Sequence, residues 1–207
     1  MVRAQKKLAI ALSNLAPHPC ENAELEQYSI DGELAARWLM DIVAFGDLRE
    51  GCTVADLGCG NGILSVGALL LGAGKAIAID ADSSVVDVAK SNLKGEGFWQ
   101  QGEWIHATIG DDEINLSGVD LVITNPPWGR QKEKADRPFL QEILDCGVTA
   151  HILHSASATH IEPLFTSAGW DVEKYGEADF VLPANYSHHT STQDKTRVAF
   201  WRLTPNS

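Results

Sequence analysis

TVADLGCGNG, residues 53–62, decides the architecture of this chain. Thr53–Leu57 is a short apolar run with one carboxylate, Asp56, and it leads into glycines at 58, 60 and 62. A run this short, apolar on both faces, reads as a buried parallel strand. Glycines at its carboxyl end let the backbone turn sharply and approach a ligand closely. Working outward, Ile63–Leu71 reads as a helix, Ala76–Asp80 (AIAID) as a second strand and Ser84–Leu93 as a second helix. Trp104–Ile109 reads as a third strand and Val119–Thr124 (VDLVIT) as a fourth. A helix over Pro138–Gly147, a strand over Ala150–His154 and a helix over Ile161–Ala168 follow. Strands at Asp171–Tyr175 and Thr196–Leu203 close the series, with a polar loop between them. Upstream, Leu34, Trp38, Leu39 and Ile42 recur at helical spacing within Leu34–Val43. Strands and helices alternating at this rhythm imply an α/β fold: a Rossmann-like, mostly parallel doubly wound sheet with an antiparallel C-terminal end. Residues 1–31 are expected as an N-terminal helical segment lying over the ligand site, and residues 32–207 as the Rossmann-like domain.

The 207 residues suffice for one well-buried domain and are too few for two large ones. No stretch approaches the roughly 20 uninterrupted apolar residues of a membrane span. Met1–Leu15 places Arg3, Lys6 and Lys7 before a short apolar run. Asn14 interrupts that run and no small-residue cleavage site follows, so the segment reads as an amphipathic helix rather than a secretory leader. Cys20, Cys52, Cys59 and Cys146 form no CxxC pair, which points away from a zinc site or a disulfide scaffold and towards a reducing, cytoplasmic setting. The net charge of −12 disfavours broad, nonspecific nucleic-acid binding. It leaves room for RNA met by a local basic surface or a basic partner. Arg130, Lys132, Lys134 and Arg137 form such a local run and could meet substrate phosphates. Glu133 and Asp136 interleave with them, so an ordinary solvated loop is the plain alternative. His188 and His189 lack a third ligand at suitable spacing, so no metal is expected there. His154, at a strand end, reads by default as a satisfied structural histidine, with substrate contact as the alternative.

Three constellations carry chemistry. In the first, Asp56 precedes Gly58 by two residues, where its carboxylate can meet a ligand's ammonium directly or through water. Glycines at 58, 60 and 62 do not match the dinucleotide pattern GxGxxG, and no phosphate-binding lysine follows, so a P-loop is excluded. These details favour S-adenosylmethionine, with Gly58, Cys59, Gly60 and Asn61 forming the turn around it. In the second, Asp80 ends the AIAID strand about 20 residues after the glycine turn, the place from which an acid reads ribose hydroxyls. Ala81 follows it on the cofactor wall, and Asp82 is equally a helix cap. The third, Asn125-Pro126-Pro127-Trp128, directly follows VDLVIT. Consecutive prolines fix the backbone and remove two donors. The Asn125 side-chain oxygen and the Pro126 carbonyl can then accept both hydrogens of an exocyclic NH2 and direct its lone pair at a methyl donor. Trp128 offers a broad face for a planar substrate.

Together these stretches resemble class I, Rossmann-like methyltransferases of the amino-nitrogen group marked by (D/N)PP(Y/F/W). More narrowly, LEQY at 25–28, DLGCGNGILSVGALLLGAG, AIDAD, NPPWG, Phe139-Leu140 and LPANY at 182–186 resemble the archaeal and eukaryotic methyltransferase-like protein five family. That resemblance implies N6-methylation of adenosine in small-subunit ribosomal RNA. It also implies that Gln27 and Tyr28 help close the cofactor site, and that Tyr186 lies on the substrate side. A further implication is a small zinc-ribbon activator protein as partner, paired through a sheet edge. The chain departs from the family in having Trp128 where Phe is usual and Thr108 where an acid often reads the adenine amine, with Asp111 or Asp112 as substitutes. His188, His189, Thr190 and Ser191 stand where the family tends to carry lysines. A release-factor-type glutamine methyltransferase and a DNA adenine methyltransferase share the NPP chemistry. The first usually carries a helical N-terminal domain and the second a target-recognition domain, and neither is evident here. A cofactor-binding scaffold without catalysis would be expected to have a disrupted NPP motif, and this one is intact.

Overall fold

A computed structural model describes residues 2–18, 30–129, 132–181 and 195–206. The apolar run before the glycines is β1 (Thr53–Leu57), flanked in sequence by α2 (Gly32–Phe45) and α3 (Ile63–Leu70). β2 (Lys75–Asp80), α4 (Ser83–Gly95), β3 (Gly102–His106) and β4 (Leu121–Thr124) follow. The second half contributes α5 (Arg137–Cys146), β5 (Ala150–Ser155), α6 (Ile161–Ser167), β6 (Trp170–Val181) and β7 (Lys195–Pro205). The seven strands lie in the order β3-β2-β1-β4-β5-β7-β6. The first five run parallel, and β7 pairs antiparallel with both β5 and β6. The doubly wound sheet with an antiparallel end is therefore as expected.

Successive strand residues alternate between two cores, as the period of a strand requires. Val54, Leu121, Ile123, Leu153 and Phe200 point to one face, beneath Trp38, Leu39 and Ile42 of α2 and Val66 of α3. Ala55, Val122, Ile152 and Trp201 point to the other, against Leu140 and Ile143 of α5 and Phe165 of α6. The amphipathic N-terminal helix is α1 (Val2–Ser13), and its Leu8 and Leu12 join the first core. It crosses α2 at Gly32, where a Cβ would stand 2.7 Å from the Ala9 carbonyl. Among the described residues no helix is long and apolar enough to cross a membrane.

Two boundaries differ from expectation. β3 ends at His106 rather than Ile109: Ala107 N–H makes the last ladder bond, to the Asp80 carbonyl, and beyond it Ile109 bridges locally to Asp112. β6 runs from Trp170 to Val181, well beyond Asp171–Tyr175. As the outermost strand it has open edge and face, so Glu177 and Asp179 are tolerated in it and its apolar pattern is diluted; a register shift between Lys174 and Gly176 breaks it further.

A buried polar relay joins the first core to the antiparallel end. Trp38 Nε1 donates to the Tyr175 hydroxyl (2.8 Å), whose oxygen is 2.9 Å from His151 Nδ1. The ionised Asp47 can only accept, so a neutral His151 carries its proton on Nε2 and donates it there (2.9 Å), and its bare Nδ1 accepts from the Tyr175 hydroxyl. Arg202 grips the same Asp47 carboxylate through Nε (2.6 Å) and Nη2 (3.0 Å).

Candidate active site

Beyond the carboxyl ends of β1, β2 and β4 lies a cavity of about 270 Å³. Gly58, Cys59, Gly60, Asn61, Asp80, Ala81, Asn125 and Pro127 all line it, so the three constellations converge on one place. The turn is built on left-handed backbone at Gly58 (φ 72°), Gly60 (φ 54°) and Gly62 (φ 79°), where a side chain would be strained. Gly58 and Cys59 N–H both donate to the Ile79 carbonyl, which ties the turn to β2.

Asp80 receives the Gly60 N–H on Oδ2 and the Asp82 N–H on Oδ1, each at 3.0 Å. Burial raises its pKa, with those backbone donors opposing. Its carboxylate oxygens keep further lone pairs for a diol. Asp82 itself caps α4, accepting from Ser84 N–H at 3.0 Å, so its helix-cap reading holds.

Asp56 is 1% exposed. Gly62 begins α3 without a side chain to cap it, and Asp56 does so from β1: Oδ2 accepts from Ser65 N–H (3.0 Å) and Oγ–H (2.7 Å). Oδ1 is buried with no hydrogen-bond partner. Burial pushes the Asp56 carboxyl up to about 7, the Ser65 hydrogen bonds opposing and the Asp80 charge adding. Asp56 does not itself line the cavity, but its unpartnered Oδ1 behind the glycine turn, together with the Asp80 carboxylate on the wall, fits a nucleoside that carries an ammonium group.

Asn61 donates its side-chain amide to the Ala16 carbonyl at 3.0 Å. Asn92 of α4 fastens the same segment. Its Oδ1 accepts from Ala16 N–H (2.8 Å), and its Nδ2 donates to the carbonyls of Ala16 (3.1 Å) and Asn61 (2.8 Å). This latch sets His18 on the cavity wall, 3.1 Å from where a Gly60 Cβ would stand. Burial lowers the His18 pKa, with Asp80 and Asp82 opposing. Neither Asn92 nor His18 carries a local sequence signal, because the latch pairs residues 76 positions apart.

The Thr124 hydroxyl donates to the Leu57 carbonyl at 2.6 Å and so locks the end of β4 to the end of β1. Asn125 and Pro127 then face the cavity. Trp128 differs from the open platform expected of it. It is 8% exposed, meets Phe180 edge-on at 5.2 Å, and donates from Nε1 to Asn125 Oδ1 at 3.3 Å. The reason is the length of β6, which carries Phe180 up to the corner. Of the two acids considered near Thr108, Asp111 lines the cavity, whereas Asp112 accepts from Thr108 N–H at 2.7 Å. Lys132 and Lys134 also reach the wall, and Phe139 packs under Gly58. Arg137 opens α5. Gln27, Tyr28, Arg130, Tyr186, His188 and His189 lie outside the described residues.

This sheet order, with a glycine turn over β1 and an NPPW corner over β4, defines a Rossmann-like methyltransferase. A family model for ribosomal protein L11 methyltransferase (PrmA) matches residues 33–126, the stretch from α2 to the NPP corner. The crystal structure of PH1948 from Pyrococcus horikoshii is 34% identical, superposes with a TM-score of 0.87 and covers 97% of each chain. MJ0284 of Methanocaldococcus jannaschii is 35% identical over 96% of this chain and 93% of its own. The Danio rerio rRNA N(6)-adenosine-methyltransferase METTL5 is 30% identical over 87% of this chain and 89% of its own. The chain belongs to the METTL5 family of methyltransferases.

Proposed function

We propose that this chain transfers a methyl group from S-adenosylmethionine to the N6 nitrogen of an adenine in small-subunit ribosomal RNA. The observation that carries the reading is the place of Asn125. It stands on the same cavity wall as Asp80 and the glycine turn, so an acceptor for an amine sits beside the seat of a nucleoside. The Danio rerio relative, named for rRNA adenosine N6, supports RNA as the substrate, as does the provisional RNA methyltransferase assignment of PH1948.

When bound, S-adenosylmethionine supplies an electrophilic methyl carbon on a sulfonium. The chain's own residues do the positioning, which is the larger part of such catalysis. Asp80 accepts from the ribose hydroxyls, and Asp56 Oδ1 faces the ammonium, directly or through water. Asn125 Oδ1 and the Pro126 carbonyl accept the two amine hydrogens, and Pro127 fixes their direction. Trp128 steadies Asn125 from behind. Lys132 and Lys134, with Arg130 close to them in sequence, meet phosphates. Gln27 and Tyr28 over the cofactor and Tyr186 beside the base belong to this reading by family resemblance. A cytoplasmic, reducing setting is part of it, in keeping with free thiols at Cys52, Cys59 and Cys146. So is a zinc-ribbon activator; the short edge strand β3, with Trp99 beside it 52% exposed, is where strand addition would seat it.

The test is transfer of labelled methyl from S-adenosylmethionine to total RNA and to total protein, with the modified nucleoside identified after digestion. N6-methyladenosine in ribosomal RNA is the expected product. Label confined to protein would move the assignment to a glutamine amide.

A further inference from the structure

We infer that Asp136, His154 and His160 form a site for a zinc-like transition-metal dication, set just behind the NPPW corner. One ligand atom of each side chain, a carboxylate oxygen or an imidazole nitrogen, lies within 4.8 Å of the other two. His154 Nε2 is 3.1 Å from Asp136 Oδ2, and His160 Nε2 contacts the same oxygen. The two imidazoles stand nearly perpendicular, at 80°, with centroids 5.4 Å apart. They approach one point from different directions rather than stacking.

Two features direct the ligand atoms at one another. Asp136 precedes α5 with helical backbone, φ −76° and ψ −20°, and Pro138 offers no N–H in the first turn, so its carboxylate makes no capping hydrogen bond and meets the histidines instead. His154 is 2% exposed, and its contact with that carboxylate is made through Nε2, while Nδ1 is buried without a hydrogen-bond partner.

The donor set decides the ion. Two imidazole nitrogens and one carboxylate oxygen suit zinc and its first-row neighbours, whereas calcium and magnesium prefer all-oxygen shells. His154 and His160 follow the H-x5-H spacing found at zinc sites. Three protein ligands leave a fourth position open. Entry is from His160, whose side chain is 31% exposed while those of His154 and Asp136 are buried. The ligands come from the loop before α5, the end of β5 and the residue before α6. A bound ion would therefore pin the stretch 132–136 before α5, from which Lys132, Lys134 and Ala135 line the cavity.

The test uses the full chain, stripped with a chelator, dialysed and titrated with Co(II) and then Zn(II). Expected are visible d–d absorption saturating at one Co(II) per chain, its loss on adding Zn(II), and a drop in affinity of at least about a hundredfold in His160→Ala. Asp136→Asn should lose the band as well. The double variant His188→Ala/His189→Ala should keep it. Since His160 is partly exposed, its variant should melt as the parent does and alone decides the matter if Asp136→Asn does not fold. A parent chain without the band, or a folded His160→Ala that retains it, would overturn the inference.

Discussion

Asp56 gives one carboxylate oxygen to the backbone and hydroxyl of Ser65, and leaves the other buried and unshared. Its pKa is raised from 3.8 to about 7, chiefly by burial. Raised in this way, the group contributes stability that is fully present below its unfolded value and is lost as pH rises through about 7. A cation placed against Oδ1 would compensate the ionised form. Affinity for S-adenosylmethionine should therefore rise between about pH 6 and 7.5, and Asp56→Asn should flatten the profile. Calorimetric titrations across that range decide it, and a parallel slope in the variant would remove Asp56 from the ammonium site. Asn125 makes the complementary prediction. Asn125→Ala should cut methyl transfer by at least about a hundredfold with cofactor affinity unchanged, since only the amine's orientation is lost. Retained turnover would refute the role. Asp80 and Asn125 were legible in the sequence because each ends a strand within a contiguous motif. The burial of Trp128 was not, since it depends on Phe180, far along the chain.

Among the elements, the latch between α4 and the segment after α1 is the connection that the sequence hid most completely. Asn92 is 6% exposed and satisfies both the N–H and the carbonyl of Ala16 together with the Asn61 carbonyl. Asn92→Ala would leave such groups without partners, at a cost of about 1–3 kcal/mol. The expected outcome is a lower denaturant midpoint with an unchanged slope, and weaker cofactor binding, because His18 and the Asn61 backbone would lose their support. Equal cofactor affinity in a destabilised variant would mean the latch serves the fold alone. The helices and central strands matched the reading to within two residues at most ends, because fully buried runs such as LVIT carry an undiluted apolar signal. The edges did not. β3 starts two and ends three residues before the expected strand and β6 runs six beyond it, since edge strands face solvent and their length is set by pairing rather than by composition.

At the scale of the whole molecule, acid should act through the relay that ties α2's end to the antiparallel strands. Burial alone would raise the Asp47 pKa, but hydrogen bonds from His151 and Arg202 outweigh it and bring it down to about 2. A depressed carboxyl contributes stability above its unfolded pKa of 3.8 and loses it as pH falls through about 2. Burial also lowers the His151 pKa below 6.5, with Asp47 opposing, so the neutral ring is favoured in the fold. Its contribution is present above 6.5 and weakens as pH falls below that value. Between about pH 7 and 4 the raised Asp56 carboxyl opposes the loss at His151, so thermal melts should show their clear downward shift below pH 4, with roughly 2 kcal/mol at stake in Asp47. Asp47→Asn should remove that shift; an unchanged shift would place the acid sensitivity elsewhere. The position of β7 has its own consequence, one of timing. β7 lies between β5 and β6, so β6, which pairs with no other strand, has no place on the sheet until synthesis has passed residue 205. A nascent chain can assemble the nucleoside seat while that flank stays open. Trp128 can then be covered by Phe180 only once β7 has joined the sheet, and a chain cut within β7 would weaken the strand that holds β6 at that corner.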